Sequence, residues 1–262
     1  MIARLLLRLV SWAVLGYMLL PLVVILGASL TASSFLAFPP KGWTLGWYAQ
    51  MLSDPSYVAS FATSTVLALA ATLVAVLLSV PAALAMARYD FAGKGAILAA
   101  LTSPLVFPHI VLGAALLQFG GYFGLTRSFL ALLIGHTIIV SPFVLRSVLS
   151  MLTPEQRALE EASSDLGANP WSTFWFVVLP LIRPGIVTGS IFAFISSWIN
   201  VELSIFNTTP ELNTIPVKLF NYVQYTVDPT IAAASGATIL VVVVAVIVLD
   251  LCIGLDLLSE RK

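Results

Sequence analysis

Few side chains in this 262-residue sequence could carry chemistry. It contains two histidines, His109 and His136, and one cysteine, Cys252. Neither histidine belongs to an HExxH or GxSxG arrangement, and a lone cysteine excludes both an intrachain disulfide and a CxxC site. The Gly-Lys-Gly run at 93–95 is only a fragment of the phosphate-binding pattern GxxxxGK[ST], which is otherwise absent. We therefore expect no catalytic residues, no metal site and no cofactor in this chain.

Two ionisable residues lie within or beside apolar stretches of the sequence. His109 follows the prolines Pro104 and Pro108, and Glu202 lies near the end of a long apolar run. An ionisable group in a membrane is costly, so a functional role is the default expectation. We predict that both residues line a translocation pathway or its gate. The alternatives are a glutamate at the wet outer mouth and a core histidine with satisfied hydrogen bonds.

The composition identifies the setting in which these residues act. Hydrophobic residues make up 60% of the chain, charged residues 9%, and the mean hydropathy is +1.03. Soluble domains have about 45–50% apolar and about 25% charged residues. The chain is therefore predicted to be an integral membrane protein with the lipid bilayer as its surroundings. Its formal net charge of zero gives no electrostatic basis for binding nucleic acid.

Six apolar stretches are each long enough to cross the roughly 30 Å hydrocarbon core of a bilayer. They predict an all-α membrane protein of about six transmembrane helices, formed as a single domain over residues 1–262. The first stretch is longer than a signal-peptide core and is predicted to be a retained helix. The predicted spans cover residues 5–30, 57–87, 96–119, 129–149, 181–206 and 231–255.

The basic residues predict the orientation of the bundle. With the N-terminus inside and six crossings, nine of the twelve lysines and arginines lie on the cytoplasmic side, in agreement with the positive-inside rule. Both termini are therefore predicted to be cytoplasmic. The inner residues are Arg4, Arg8, Arg88, Lys94, Arg146, Arg157, Arg183, Arg261 and Lys262, and the outer ones are Lys41, Arg127 and Lys218.

Two spans have internal features of their own. Pro104 and Pro108 lie inside the third span, where each removes a backbone donor, so this span is predicted to be a broken helix that lines a pathway. Small residues recur at every fourth position of the second span and predict a face that another helix can approach closely. These small residues are Ala71, Ala75, Ser79, Ala83 and Ala87.

The cytoplasmic stretch 150–180 is longer than a bundle connection requires. Thr153 as N-cap, Pro154 at the first helical position and Gln156 in a capping box predict the start of a helix. Gly167 is expected just past its end, with positive φ, and Asn169 followed by proline begins a second short helix. The stretch is therefore predicted to be a helix, a glycine turn and a helix.

The first of these helices has both charged and apolar side chains. Leu159, Ala162 and Leu166 form a weakly apolar face, while Arg157 and Glu161 can pair at i, i+4. Glu161 and Asp165 repel each other at the same spacing, which costs a few tenths of a kcal/mol and is tolerable in water. The pattern favours a charged docking surface; an ordinary solvated helix is the alternative.

These residues resemble a known motif. Glu161, Ala162 and Ser163, then Gly167, then Leu179 with Pro180, follow the spacing of the EAA motif in the membrane subunits of binding-protein-dependent ABC importers. Ser163 and Val177 are conservative departures from its usual Ala and Ile. The resemblance implies that this helix docks on a partner ATPase. The coupling residues that it implies are Leu159, Glu160, Glu161, Ala162, Ser163, Asp165, Leu166, Gly167, Leu179 and Pro180.

Most of the chain resembles one branch of these permeases, the spermidine/putrescine type. The fold implied is that of a type I (MetI-like) ABC importer permease, multi-pass in the inner membrane. The partners implied are a second permease subunit, as a hetero- or homodimer, two cytoplasmic ATPase subunits that bind ATP and Mg, and an extracytoplasmic solute-binding protein. The residues that carry this resemblance are Arg88, Tyr89, Phe91, Gly93, Lys94, 141–143, 203–210, Pro216, Lys218, Asp228, Pro229 and 250–256.

The substrate is less well defined by this resemblance. Polyamine permeases commonly have acidic residues where this sequence has His109, Ile199 and Asn200, so Asn200 joins His109 and Glu202 as a candidate pathway residue. The expected function is import of a small polar organic solute, a polyamine-like amine or a related compound. The alternative is a secondary transporter or channel without an ATPase partner, which would place coupling residues inside the bundle.

Overall fold

The structure is a computed structural model that describes residues 2–225 and 228–253. Predictions that concern the end of the last span and the basic pair Arg261 and Lys262 fall outside these residues. The described part of the chain forms eleven α-helices. They are α1 (Ile2–Ser29), α2 (Gly46–Ser53), α3 (Pro55–Arg88), α4 (Lys94–Thr102), α5 (His109–Tyr122), α6 (Phe129–Leu149), α7 (Pro154–Asp165), α8 (Pro170–Thr173), α9 (Leu179–Trp198), α10 (Ile215–Val223) and α11 (Pro229–Ile253).

The predicted count of about six membrane helices is confirmed. Five helical stretches of the described chain are long and apolar enough to cross a membrane. The sixth is a bent pair, in which the stretch Lys94–Leu105 meets His109–Tyr122 at an angle of 103°. These stretches agree with an all-α membrane fold, and the only β-pairing among the described residues is one isolated bridge between Thr31 and Trp43.

The bend lies at the two prolines of the third span, where a broken helix is predicted. Pro104 is inside the 3₁₀ turn Ser103–Leu105, and Pro108 directly precedes α5 with φ −59° and ψ 125°. A proline has no backbone N–H to donate and restricts the residue before it, so the helical hydrogen bonding stops here. The broken helix is therefore confirmed, whereas its role in lining a pathway stays a prediction.

The fifth membrane helix differs from its predicted bounds at both ends. It begins at Pro170, continues through the π-helical turn Phe174–Val178 into α9, and ends at Trp198 rather than at residue 206. The second short helix expected after Asn169 is thus the start of this long helix. At its other end the Asn200 carboxamide accepts from the Leu203 N–H at 2.9 Å, a local bond that competes with continued helix.

The described chain divides into two compact units. The first comprises the described residues up to Ala59 together with Lys218–Val243, and the second comprises Ser60–Val217 with the described residues from Val244 on. In the first unit the Tyr48 and Ser29 hydroxyls lie 2.8 Å apart, and the Trp47 indole donates to the Thr31 carbonyl at 2.8 Å. The second unit contains every candidate site residue. That the chain is one domain stays a prediction.

The core of the second unit is formed by α3, α6 and α9. Ala71, Ala75 and Ala83 of the predicted small-residue face are fully buried, and the Ser79 hydroxyl donates to the Ser141 carbonyl of α6 at 3.1 Å. Ala87, the last member of the predicted stripe, is exposed. The small face therefore packs inside the unit as far as Ala83.

Helices α6 and α9 approach each other through two glycines one turn apart. A β-carbon at Gly185 would lie 2.6 Å from the Ser147 carbonyl oxygen, and one at Gly189 would lie 2.7 Å from the Val144 Cα. Both distances are shorter than a carbon atom tolerates. Close contact of the two backbones therefore requires glycine here, in the manner of small-residue packing between membrane helices.

Candidate functional site

Helix α7 begins where the sequence predicts, but its cap is different. Thr153 is the N-cap with extended backbone and Pro154 is the first helical residue, yet the Thr153 side chain accepts no capping hydrogen bond. The predicted capping box with Gln156 is therefore wrong. The Thr153 hydroxyl instead bonds the Glu155 carboxylate, and this bond lowers the pKa of Glu155 below its ordinary value.

The other end of α7 is closed by Gly167. Its φ is +87°, as predicted, and its N–H donates to the Ser164 carbonyl at 2.9 Å. The Ala168 N–H donates to the Ser163 carbonyl at 3.1 Å, which completes a Schellman motif. Asn169 then caps the next helix by accepting from the Ser172 N–H at 2.8 Å. The chain therefore reverses within four residues, and Gly167 supplies the left-handed conformation that the reversal needs.

Two side-chain contacts hold α7 against the rest of its unit. Glu160 pairs with Arg88, the last residue of α3, at 2.7 Å, and both side chains are largely buried. The hydroxyls of Ser163 and Thr173 lie 3.1 Å apart and join α7 to α8. Ser163 stands where the EAA motif usually has alanine, so this departure adds a contact that alanine lacks.

An apolar face of α7, next to Ser163, is exposed. Leu159 is 51% exposed and Leu166 is 90% exposed. Together with Ala162 they line an apolar cleft of about 560 Å³ that Phe176 and Pro180 close on the α9 side. Glu161 lies beside this face and pairs with Arg157 at 3.2 Å, with both side chains well exposed. Asp165 is also exposed, and Leu179 is the first residue of α9.

A second, more polar cavity of about 430 Å³ lies between α7 and the end of α3, where Arg88, Tyr89, Glu160 and Asp165 contribute to its walls. The adjoining turn is held by Lys94, which pairs with Asp90 at 2.8 Å. The hydrogen bond from Lys94 lowers the pKa of the Asp90 carboxyl below its ordinary value. The sequence offered no local signal for the Arg88 contact, because its partner is distant in the chain.

Of the candidate pathway residues, His109 lies at the break between α4 and α5, and Asn200 and Glu202 lie in the segment after α9. The structure brings His109 and Asn200 together, with the imidazole Nδ1 3.1 Å from the carboxamide Nδ2. Glu202 is exposed and lies on no helix, because α9 ends at Trp198 and not at residue 206 as predicted. The pathway role of all three residues stays a prediction.

A buried polar cluster adjoins this pair and was missed in the sequence. His136 of α6 is 1% exposed, and its ring nitrogens lie 2.7 Å from the Ser197 hydroxyl and 2.9 Å from the Ser204 hydroxyl. His136 is separated from these serines by more than sixty positions. No sequence pattern connects residues so far apart in the chain. The only hint in the sequence was the presence of Ser197 and Ser204 close to Asn200.

These features define a class of protein. A bundle of membrane-length helices with one broken span, joined to an exposed helix, glycine turn and helix, is the architecture of an integral membrane transport subunit. The chain belongs to the family described as binding-protein-dependent transport system inner membrane component, which matches residues 79–258. It is a permease subunit of such a transport system.

Curated relatives cover most of the chain. The spermidine/putrescine transport system permease protein PotC of Escherichia coli K12 is 30% identical over 95% of this chain and 93% of its own length. The putrescine transport system permease protein PotI of the same strain is 30% identical over 78% of this chain and 75% of its own. The sulfoquinovosyl glycerol permease protein SmoH of Agrobacterium fabrum is 29% identical over 88% and 83%.

Solved structures share the fold. A chain in the crystal structure of a bacterial ABC transporter that imports the acidic polysaccharide alginate superposes with a TM-score of 0.70 at 18% identity, covering 97% of this chain and 95% of that one. The type I importer fold expected from the sequence is therefore confirmed.

Proposed function

We propose that this chain is a permease subunit of an ATP-driven importer of the bacterial inner membrane, and that α7 is the helix through which partner ATPases move it. In this proposal a second permease subunit completes the membrane pathway, two cytoplasmic ATPase subunits bind ATP and Mg, and a solute-binding protein delivers the solute from outside. This chain itself carries out no hydrolysis, because it lacks the phosphate-binding pattern.

The observation that carries the proposal is the form of the α7–α8 segment. It exposes Leu159, Ala162 and Leu166 beside an apolar cleft, while Glu160 and Ser163 attach the same helix to α3 and α8. The apolar face of α7 is exposed, while the helix itself is attached to its neighbours. A helix held in this way can transmit a rigid-body movement. A secondary transporter has no need of such a surface outside its bundle.

The proposed solute is a small polar organic compound, a polyamine-like amine or a related molecule. Support comes from the two relatives whose names specify spermidine and putrescine. Another relative, with a similar percentage of identical residues, is named for sulfoquinovosyl glycerol. Relatives at this level of sequence identity therefore include permeases named for chemically different solutes. In such systems the separate binding protein makes much of the selection, and its sequence would identify the solute most directly.

Gly167→Val and Glu161→Lys test the coupling role. Valine at φ +87° is strained by roughly 1–2 kcal/mol and would displace α7. Lysine at position 161 reverses the charge beside the apolar face. Each 1.4 kcal/mol lost from the free energy of docking weakens ATPase binding about tenfold. We expect both variants to insert in the membrane but to lose about tenfold or more in ATPase binding, with loss of solute uptake.

Two matched controls separate coupling from general damage. Gly95→Val adds the same side chain where a β-carbon meets no atom within 4 Å, and Glu155→Lys makes the same charge change at the start of α7. Both should retain ATPase binding and uptake. Binding and uptake at the parental level in the Gly167 and Glu161 variants would refute coupling and favour the secondary-transporter alternative.

A further inference from the structure

The buried cluster around His136 forms a chain of hydrogen bonds whose direction can be assigned. The Ser204 hydroxyl donates to the backbone carbonyl of Asn200 at 3.1 Å, since a carbonyl can only accept. A hydroxyl has one proton, so Ser204 must accept its other bond from His136 Nε2, at 2.9 Å. His136 Nδ1 then accepts from the Ser197 hydroxyl at 2.7 Å. All three bonds are made at once only with the proton of His136 on Nε2.

A second set of hydrogen bonds joins the side chain of Asn200 to His109. The Asn200 Oδ1 accepts from the Leu203 N–H at 2.9 Å, and this bond fixes which end of the carboxamide is the oxygen. The carboxamide nitrogen therefore donates to His109 Nδ1 at 3.1 Å. Nδ1 is occupied as an acceptor, so the proton of a neutral His109 lies on Nε2.

The other ring nitrogen of His109, Nε2, has no hydrogen-bond partner among the described residues. The side chain is half-buried and lies at the break of the third span. An N–H group that faces lipid without a partner costs several kcal/mol, so polar groups at such a position face water or another polar group. The His109 Nε2–H is therefore a hydrogen-bond donor that none of the described residues accepts.

We infer that His109 offers a hydrogen bond from Nε2 to an acceptor oxygen of the transported solute, and that Asn200 is a positioning residue that holds it in this tautomer through its carboxamide. The solute group is thus a hydrogen-bond acceptor such as a carboxylate or hydroxyl. This inference rests on the proposed pathway role of His109. Of the solutes in the proposed function, it favours a related compound with an acceptor oxygen over a polyamine-like amine.

The neighbouring residues favour an acceptor over an ammonium group. The hydrogen-bond chain contains imidazole, hydroxyl and carboxamide groups and no carboxylate. The side chain of Ile199, next to Asn200, has no polar atom. Among the described contacts, the Glu202 side chain makes no hydrogen bond to these residues. An ammonium group has only hydrogen-bond donors, so it could not accept a hydrogen bond from the His109 N–H.

Nitrogen-15 NMR of the intact subunit in lipid nanodiscs tests the assignment directly, with label in the imidazole nitrogens. The chain has only two histidines, so the spectrum contains two rings, and His109→Gln assigns them. At mildly alkaline pH, where free histidine is neutral, we expect both rings to show an unprotonated Nδ1 and a protonated Nε2. A protonated Nδ1 at His109 would overturn the assignment.

Variants of the chain test the positioning role. Asn200→Asp replaces the donor by an acceptor of the same shape, so the His109 Nδ1 signal should change to the protonated type. Ser190→Ala is the control, because this buried serine of α9 bonds only within its own helix, to the Ile186 carbonyl. An unchanged His109 signal in Asn200→Asp would refute the role.

Sodium acetate and methylammonium chloride probe the solute chemistry on the same sample. Acetate should shift the His109 Nε2–H signal in a saturable manner, and methylammonium should not. A shift with methylammonium alone, or with neither probe, would overturn the donor role. None of these measurements uses an ATPase, so a subunit that behaves as expected here but fails to couple would refute the proposed function and leave this inference intact.

Discussion

At the scale of single residues, the contact between Arg88 and Glu160 decides how α7 is held. The 2.7 Å pair joins the end of α3 to the middle of α7, with side-chain exposures of 30% and 18%. The neighbouring pair of Arg157 and Glu161 is far more exposed, at 63% and 67%. Exposed ion pairs contribute about 0–1 kcal/mol and are screened by salt, so the two pairs should differ in their contributions.

We expect the Arg88 and Glu160 pair to show a coupling free energy of about 1 kcal/mol, at the upper end for such pairs. Alanine at each position and at both, measured by thermal unfolding of the purified subunit, gives this energy as a double-mutant cycle. ATPase binding should weaken together with the pair.

The same cycle on Arg157 and Glu161 is the control, and its coupling should be close to zero because water solvates both groups. Equal coupling in the two cycles would show that the Arg88 contact does not anchor α7.

At the scale of elements, α3 is positioned by its small residues. Ala75 is fully buried among core residues of α6 and α9, and Ser79 donates to the α6 backbone. A leucine adds three heavy atoms at Ala75 and two at Ser79, where no space exists. Overpacking of this kind costs about 1–3 kcal/mol.

Ala75→Leu and Ser79→Leu should therefore lower the unfolding temperature of the subunit and reduce the yield of assembled transporter in detergent. Ala62→Leu places the same side chain on an exposed position of the same helix and should leave the unfolding temperature unchanged. A double Ala75 and Ser79 variant with normal stability and uptake would show that the small residues are not needed for packing.

At the scale of the whole molecule, the distribution of basic residues predicts which side of the membrane each loop faces. Nine lysines and arginines on one side and three on the other favour both termini and the Gly167 turn inside. The positions that test this orientation are Ala168, beside that turn, and Trp43, in the connection between α1 and α2.

A single cysteine at Ala168, in a chain with Cys252→Ser, should resist a membrane-impermeant maleimide in intact cells and react after the cells are opened. A cysteine at Trp43, whose side chain is 76% exposed, should react in intact cells. The reverse pattern would invert the topology and exclude docking of α7 on a cytoplasmic ATPase.

The local features of this protein were determined by the sequence itself. The membrane helices follow from runs of apolar residues, the break of the third span from Pro104 and Pro108, and the turn after α7 from Gly167. Each depends on hydrogen bonds within a few residues or on transfer of one segment into lipid. Residues close in the chain contain that information.

Contacts between distant segments were decided by the tertiary structure alone. His136 meets Ser197 and Ser204 across 61 and 68 positions, and α9 stops at Trp198 although apolar residues continue beyond it. A polar side chain in a membrane must find a partner wherever the packing of helices brings one within reach. The local sequence showed that His109 and Asn200 are polar; the packing of α5, α6 and α9 decided which atoms they present.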